Sequence, residues 1–189
     1  MSDAATLSSP LANNPELADN IIGPPPHTPT ILWIGCSDAR VPESVWSPPP
    51  AVGEVFVQRN IANQFQPTDV NAVSVLTYGV TGIPTIKEVR VVGHTGCAGV
   101  QACYNVVNNI PIPPPPPPDS VLWTWLGPLR AHAHANRHQT LEWLTKENVR
   151  IQMRNVNAML RSLGRADVAV NGYLYDIGNR RIYPVPPSD

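Results

Sequence analysis

Short, largely apolar runs, each closed by a glycine, mark the first half of the chain. Thr30–Gly35 (TILWIG) and Glu88–Gly93 (EVRVVG) have the length of a strand and are rich in β-branched residues. Runs of this kind are typical of buried parallel strands. Val55–Gln58 predicts a third strand between them.

Helical spacing follows in two places. Apolar residues at steps of three and four predict a helix with Thr68 as its N-cap and a buried stripe of Val70, Val73, Leu76 and Val80. The same spacing predicts a longer helix over Thr145–Leu163, with Gly164 in the C′ position just beyond its end.

The C-terminal part of the chain returns to strand-like alternation. A strand is predicted over Asp167–Tyr175, followed by a turn around Gly178 and Asn179 and a short strand at Arg181–Tyr183. Strands and helices in this order predict an α/β fold, with a mostly parallel central β-sheet flanked by α-helices and a C-terminal strand extension. The 189 residues suffice for one such domain.

Proline clusters mark the connectors between these elements. They lie at Pro24–Pro26, Pro48–Pro50 and Pro113–Pro118. Consecutive prolines favour an extended polyproline helix, so the third cluster predicts an exposed loop insertion more than a docking site for a proline-binding module. We expect residues 1–29 to form an arm with at most a short helix at Pro15–Ile22, and residues 30–189 to form one domain with an insertion at 111–118.

Charge and hydropathy argue against two classes of partner. The 13 Lys and Arg residues nearly balance the 14 Asp and Glu residues and form no basic stripe for nucleic acid. No apolar run approaches the ~20 residues of a membrane-spanning helix, and the first twenty residues lack the features of a secretory signal. We therefore expect a cytoplasmic protein with no nucleic-acid or membrane partner. In that compartment three cysteines favour a metal or catalytic site over disulfides, with Cys103 as a buried structural thiol.

Reactive side chains follow two of the predicted strands. Cys36, Asp38 and Arg40 come after TILWIG, while His94 and Cys97 come after EVRVVG. If these strands are neighbours, two thiolates and one imidazole converge at one sheet edge. Such a set suits zinc, and three protein ligands leave the fourth tetrahedral position to water, as in catalytic sites. Taken singly, Cys36 could be a core thiol and His94 a loop residue. The combination favours a zinc site.

The carboxylate of Asp38 and the guanidinium of Arg40 could form a two-pronged ion pair beside this site. The pair would keep Asp38 ionised by lowering its pKa. Asp38 could then assist the zinc-bound water, whose pKa zinc lowers from 15.7 towards about 7. In the alternative arrangement the pair opens, and Asp38 itself occupies the fourth zinc position and closes the site.

These segments together resemble the β-carbonic anhydrase family. The family's CSDSRV, GE-F--RN-AN and GH--CGG patterns are mirrored by CSDARV, GEVFVQRNIAN and GHTGCAG, and VNGYLYDIGNRRIYPV is similar to the family's last hairpin-like segment. The match runs from about Thr30 to Val185. It implies one zinc ion per chain, held by Cys36, His94 and Cys97.

The resemblance also implies an activity, the reversible hydration of carbon dioxide to bicarbonate and a proton, with Asp38 and Arg40 as the catalytic dyad. It places Phe56, Ile61 and Tyr78 in the substrate pocket. An apolar wall suits a neutral linear molecule, although each of the three could equally be a core residue.

The chain departs from the family pattern at two points. His27 is expected in the same pocket, where a glutamine commonly precedes the first zinc cysteine by nine residues. Histidine is a stiffer donor whose pKa is ordinarily near neutrality, so its presence predicts low activity. The family's long N-terminal helices are shortened, although a homodimer or higher homo-oligomer is still expected. Arg59 and Asn60 match the family's RN pair, and we expect them to tie loops together.

Two alternatives stay open. Relatives of the family hydrolyse carbon disulfide or carbonyl sulfide, and the zinc motifs do not separate these substrates. The short N-terminus and His27 would also suit a catalytically impaired zinc-binding or interaction protein. A redox role for Cys36 and Cys97 is disfavoured, because neither belongs to a CxxC motif.

Overall fold

A five-stranded sheet forms the centre of the described part of the chain. The computed structural model describes residues 27–111, 117 and 120–187. Within them the strands are β1 (Ile31–Cys36), β2 (Val55–Asn60), β3 (Glu88–His94), β4 (Ala169–Asp176) and β5 (Arg181–Val185). Their order is β2-β1-β3-β4-β5. The first four are parallel, and β5 pairs antiparallel with β4, which confirms the predicted α/β fold and strand extension.

Five helices of the described residues flank the sheet. They are α1 (Val70–Thr77), α2 (Ala98–Val107), α3 (Val121–Trp125), α4 (Gly127–Ala135) and α5 (Leu141–Ser162), and a π-helical turn, Tyr78–Gly82, extends α1. None of the helices in the described ranges is both long and apolar enough to pass through a bilayer.

Strand register brings the two motif-bearing strands side by side. β1 pairs with β3 in parallel, with Gly35 opposite Val92. The condition set by the sequence is therefore met: the residues that follow β1 and β3 leave the same edge of the sheet. On the other side of β1, Cys36 lies opposite Asn60 at the end of β2.

Apolar side chains fill both faces of the sheet. On one face Leu32, Ile34, Val89 and Val91 pack against the buried stripes of α1 and α5. On the other face Trp33 and Val92 pack with Val41 and Tyr175. Burying a large aliphatic side chain contributes about 1.5–3 kcal/mol, so this double-sided core makes the sheet a rigid base for the loops at its edge.

The first predicted helix begins one residue later than expected. Its N-cap is Asp69, not Thr68, because the Asp69 carboxylate accepts the hydrogen bond from the backbone N–H of Asn71. Val70 was also wrongly assigned to the buried stripe. In the first turn it is 79% exposed, and Ala72 is buried instead.

The long helix begins four residues earlier than predicted and ends as expected. Thr140 caps α5 by accepting a hydrogen bond from the backbone N–H of Trp143. At the other end Gly164 has a positive φ of 69°, and the backbone N–H of Arg165 donates to the carbonyl of Leu160. These features form a Schellman motif, which the glycine makes favourable.

The predicted proline insertion and N-terminal arm fall mostly outside the described residues. Pro111 and Pro117 are described, and both are exposed. The rest of the run at 112–116 and 118, and the short helix predicted at Pro15–Ile22, lie outside the described ranges.

Candidate metal centre

Cys36, His94 and Cys97 meet at the carboxyl edge of the sheet. Their potential ligand atoms all lie within 4.8 Å of one another, and all three residues are buried. The two sulfur atoms are 4.0 Å apart. Cys36 is the last residue of β1, His94 the last of β3, and Cys97 the N-cap of α2, so rigid elements hold each of them.

The ring of His94 is oriented for metal binding. Its Nδ1 lies 2.9 Å from the backbone carbonyl of Thr95, which fixes the proton on Nδ1 and leaves the Nε2 lone pair free. Nε2 is buried and has no hydrogen-bond partner in the described structure. Burial disfavours a charged ring, but the nearby Cys36 and Asp38 outweigh it and raise the pKa of His94.

The hydrogen bond between the two cysteines shifts their pKa values in opposite directions. The contact with Cys97 lowers the pKa of Cys36, and the same contact raises the pKa of Cys97. Backbone N–H groups of Asp38 and Ala62 also favour the Cys36 thiolate, and those of Gly99 and Val100 favour the Cys97 thiolate. The latter two lie in the first turn of α2, where the helix dipole favours negative charge.

Asp38 and Arg40 form the two-pronged pair expected from the sequence. Arg40 Nε donates to Asp38 Oδ1 at 2.9 Å, Arg40 Nη2 donates to Oδ2 at 2.6 Å, and the Arg40 backbone N–H also donates to Oδ1. These bonds hold the pKa of Asp38 well below its usual range. Asp38 Oδ2 lies 3.9 Å from His94 Nε2, so the carboxylate borders the centre.

Arg59 fixes the loop that carries this carboxylate. Its guanidinium donates to the backbone carbonyls of Cys36 at 2.8 Å and Asp38 at 2.6 Å. Asn60 closes the next turn by exchanging two hydrogen bonds with the backbone of Gln64. The loop-tying role predicted for the RN pair is confirmed.

The four predicted pocket residues divide between two places. Ile61 directly follows β2, close to Gly99 at the start of α2 and therefore on the side of the metal ligands. His27, Phe56 and Tyr78 instead form an aromatic cluster, with ring centroids 5.8 Å apart for His27 and Phe56 and 5.9 Å for Phe56 and Tyr78.

This aromatic cluster lies far from the cysteines of the same chain. Phe56 is opposite Leu32 in the register, whereas Asn60 is opposite Cys36. The step of four residues along β2 from Phe56 to Asn60 corresponds to about 13 Å. Tyr78 is 58% exposed, so the cluster faces outward beside the edge strand β2.

An open groove connects the loop after β1 with α3. Its volume is about 460 Å³. Lining residues include Ser37, Arg59, Ile61, Leu122 and Trp125. The groove reaches Ser37, the residue after Cys36, but none of the three candidate ligands lines it.

Sequence reasoning missed a buried set of amide side chains behind the centre. Gln64, Asn148 and Gln152 are hydrogen-bonded to one another and to the turn that follows β2. Two of them lie on α5, more than 80 positions from their partners along the chain. The only available signal was the presence of polar residues on the inward face of an apolar helical stripe.

The family model and two sequence relatives that match this chain are all carbonic anhydrases. The carbonic anhydrase family model matches residues 31–182. A carbonic anhydrase of Candida albicans is 29% identical over 94% of this chain and 67% of its own length. One from Emericella nidulans is 41% identical over 53% of this chain and 42% of its own length.

Solved structures agree with the sequence relatives. The β-carbonic anhydrase CafA of Aspergillus fumigatus has a TM-score of 0.71 at 29% identity, with coverage of 93% of this chain and 83% of its own. One of the tetrameric β-carbonic anhydrases of Sordaria macrospora has a TM-score of 0.69 at 30% identity, with coverage of 90% and 84%.

Proposed function

Because the chain belongs to the β class of the carbonic anhydrase family, we propose that it catalyses the zinc-dependent, reversible hydration of carbon dioxide to bicarbonate and a proton. The observation that carries this proposal is the buried Cys36–His94–Cys97 cluster with an arginine-held carboxylate beside it. A structural zinc site uses four protein ligands, whereas three with an adjacent carboxylate suit catalysis.

The donor set fits zinc. Two sulfurs at about 2.3 Å from a tetrahedral zinc ion lie about 3.8 Å from each other, close to the 4.0 Å between Cys36 Sγ and Cys97 Sγ. The unpartnered, buried Nε2 of His94 supports the same assignment, since an orphaned polar atom in the core is costly. Zinc binding would release the proton that the two thiols share.

Zinc, when bound, supplies the Lewis acidity that makes hydroxide available near neutral pH. The residues of the chain do the rest. Asp38 stays ionised and accepts a hydrogen bond from the attacking water, which orients it towards the substrate. Arg40 keeps the carboxylate in place, and because it engages both oxygens, it also keeps Asp38 away from the metal.

We propose that a second copy of the chain completes the substrate pocket. His27, Phe56 and Tyr78 cluster on the exposed flank of β2. Along the strand direction they lie about 13 Å from the cysteines of their own chain. A homodimer that joins these flanks would bring the aromatic cluster of one protomer to the metal centre of the other. Ile61 would contribute from its own chain.

Low turnover is part of the proposal. The ring of His27 packs edge-on with the ring of Phe56. The family resemblance would place a glutamine at position 27. An imidazole is a stiffer donor to substrate oxygen than a glutamine side chain. The variant His27→Gln is therefore expected to raise kcat/KM.

We also keep the sequence-based proposals of one domain over residues 30–189, with the insertion at 111–118, and of a cytoplasmic location. The single central sheet of the described residues supports the first, and the balanced charge is compatible with the second.

The test is a stopped-flow assay of carbon dioxide hydration together with zinc analysis of the purified protein. We expect about one zinc per chain and a rate above the buffer background that increases with pH. Carbonyl sulfide and carbon disulfide are assayed in parallel, and faster turnover of either would replace the proposed substrate. A zinc-loaded protein that accelerates none of the three reactions would overturn the enzymatic proposal.

A matched pair of cysteine variants links the activity to the site. Cys97→Ala should lose both zinc and activity. Cys103→Ala should keep both, because Cys103 is equally buried but lies outside the metal cluster.

A further inference from the structure

A strained turn lies directly behind Cys36. Ala62 has φ 63° and Asn63 has φ 45°, a left-handed conformation that residues with a Cβ seldom adopt. Ala62 is fully buried in the same apolar cluster as Cys36 and Cys97. Its Cβ lies 3.0 Å from the position that a Cβ on Gly99 would take.

The position of this turn affects the metal ligands directly. Ala62 is buried in the same cluster as Cys36, and its backbone N–H helps to lower the pKa of the Cys36 thiol. The close approach of Ala62 to Gly99 also sets the first turn of α2, which Cys97 caps. A shift of the turn would therefore alter the surroundings of both sulfur ligands.

Three buried carboxamides, Gln64, Asn148 and Gln152, hold the turn, and we call them the amide clamp. Asn148 Nδ2 donates to the carbonyl of Ala62 at 3.0 Å, and Gln64 Nε2 donates to the same carbonyl at 2.8 Å. Two hydrogen bonds on one carbonyl fix the orientation of the peptide group that follows Ala62.

The clamp is satisfied internally. Asn148 Oδ1 accepts from Gln64 Nε2 at 2.7 Å and from Gln152 Nε2 at 3.0 Å. Gln152 Oε1 accepts from the backbone N–H of Phe65 at 2.8 Å. All three clamp residues are at most 2% exposed.

Two of these amides, Asn148 and Gln152, occupy unusual positions for polar residues on α5. The other inward positions of α5 are mainly apolar, including Leu144, Val149, Val156 and Leu160. Buried polar groups are costly unless fully bonded, so apolar residues would serve simple packing better. Gln64 and Asn148 both donate to the carbonyl of Ala62, and Gln152 holds Asn148 in place while it accepts from the backbone N–H of Phe65.

We propose that Gln64, Asn148 and Gln152 are positioning residues, which hold the Ala62–Asn63 turn against Cys36 and Gly99 and thereby increase the zinc affinity of the site. The inference rests on the proposed zinc centre and deepens it. Hydrogen bonds to a thiolate and the fixed placement of a ligand both belong to the outer shell of a metal site, where changes typically cost about 10–100-fold in affinity or activity.

The test compares zinc affinity, by chelator competition, in the full-length protein and its variants. Asn148→Leu removes the bond to Ala62 while it keeps the branched shape of the side chain, and we expect the zinc dissociation constant to rise about 10–100-fold. Gln64→Met removes one of the two bonds and should give a smaller rise. It also keeps the test decisive if Asn148→Leu does not fold.

A control variant separates positioning from general stability. Val156→Ala creates a cavity on the same helix, away from the turn, and should lower stability without changing zinc affinity. Ala62→Gly in the Asn148→Leu background should recover part of the affinity, because glycine adopts the left-handed conformation without strain.

Cobalt substitution supplies a spectroscopic readout. Loss of a hydrogen bond to a thiolate should move the thiolate-to-cobalt absorption band to lower energy in Asn148→Leu and leave it in place in Val156→Ala. Equal affinities and spectra in these two variants would overturn the clamp. Neither readout needs turnover, so wild-type protein that binds zinc but does not hydrate carbon dioxide would refute the proposed activity alone.

Discussion

The contacts of Asp38, the proposed catalytic carboxylate, affect two separate properties, its charge and its orientation. Three hydrogen bonds from Arg40 hold the carboxylate and depress its pKa. Without them the pKa would rise towards the ordinary value of about 3.9, which is still well below neutrality. At pH 7–8 the charge would remain and the orientation would be lost.

Substitutions in this pair should therefore differ in size. Asp38→Asn removes the charge and should lower kcat about 10²-fold or more, since a positioned proton acceptor contributes about 10²–10⁴-fold. Arg40→Gln removes only the orientation and should cost less. Arg40→Lys should lie close to Arg40→Gln, because an ammonium group cannot make the two-pronged contact.

The measurement is kcat and kcat/KM for carbon dioxide hydration between pH 6 and 9, at confirmed zinc content. Because the pKa of Asp38 stays far below this range in the wild type, the loss in Asp38→Asn should be the same at every pH. A loss that disappears at either end of the range, or full activity in Arg40→Gln, would contradict the assigned roles.

Contacts were predictable where spacing or a predicted strand indicated them, as for Cys36 and Cys97, whereas contacts that depend on side-chain packing were not. Asp38 and Arg40 follow a ligand within one turn, so their spacing alone indicated the pair. The amide clamp depends on Asn148 and Ala62, 86 positions apart. Helical periodicity predicted that position 148 lies in the helix, but only packing decides what an inward amide touches.

At the scale of elements, Gly93 determines how closely α5 approaches the sheet. A Cβ on Gly93 would lie 2.7 Å from Val149 Cγ2 of α5. Gly93 also precedes the ligand His94. Gly93 therefore connects the packing between β3 and α5 with the carboxyl edge of the sheet, where the candidate ligands lie.

Gly93→Ala should overpack this contact and lower the free energy of unfolding by about 1–3 kcal/mol. Urea denaturation of the zinc-loaded protein measures the change. Gly127→Ala is the matched control, since a Cβ there meets no atom within 4 Å.

The double variant Gly93→Ala/Val149→Ala tests the cause. Val149 is fully buried, so its truncation alone should also destabilise the protein. If the Gly93→Ala cost comes from the clash, the double variant should be more stable than the sum of the single effects predicts. Strict additivity would show that the contact is not responsible.

Sequence patterns located the strands better than the helices. Runs such as TILWIG and EVRVVG are short and buried, and their ends agree with the structure within one residue. The helices α2, α3 and α4 were not predicted. Two of them, α3 and α4, have five and nine residues and pack around Trp123 and Leu129, so tertiary contacts stabilise them more than their own periodicity.

At the scale of the whole molecule, the flank of β2 carries exposed apolar side chains. Val57, Val70, Tyr78, Val121 and Leu122 are all exposed on or near this edge strand and the helices beside it. Soluble monomers usually protect an edge strand and avoid an apolar surface of this kind. The arrangement supports the proposed association of two copies along this flank.

Val70→Asp should disrupt that association without harming the fold. Val70 is exposed in the first turn of α1, where an acidic residue is favourable to the helix dipole. Light scattering should show a shift towards monomer, and activity should fall while zinc content stays at one per chain. Val52→Asp, at a fully exposed site in a connecting loop, should change neither.

An oligomer that survives Val70→Asp would place the interface elsewhere. A fully active monomer would refute the shared pocket.

Zinc removal should lower the thermal stability of the whole domain. The three candidate donors come from β1, β3 and the start of α2, so a bound ion would link elements across the sheet edge. A ligand that binds only the folded state at 100 times its dissociation constant adds about 2.7 kcal/mol. Chelation should therefore lower the Tm measured by scanning fluorimetry, and zinc should restore it.

Cys97→Ala provides the comparison, because its Tm should not respond to either treatment. A wild-type Tm that is equally insensitive would contradict zinc binding at this site.

The separation of Cys36 and Cys97 by 61 positions also has a consequence during biosynthesis. A nascent chain exposes the first thiol long before the imidazole and the second thiol leave the ribosome. The amides of α5, which fix the turn behind Cys36, emerge later still. Binding of the proposed zinc ion should therefore be a late event, which follows translation of most of the chain and occurs when the domain is nearly finished.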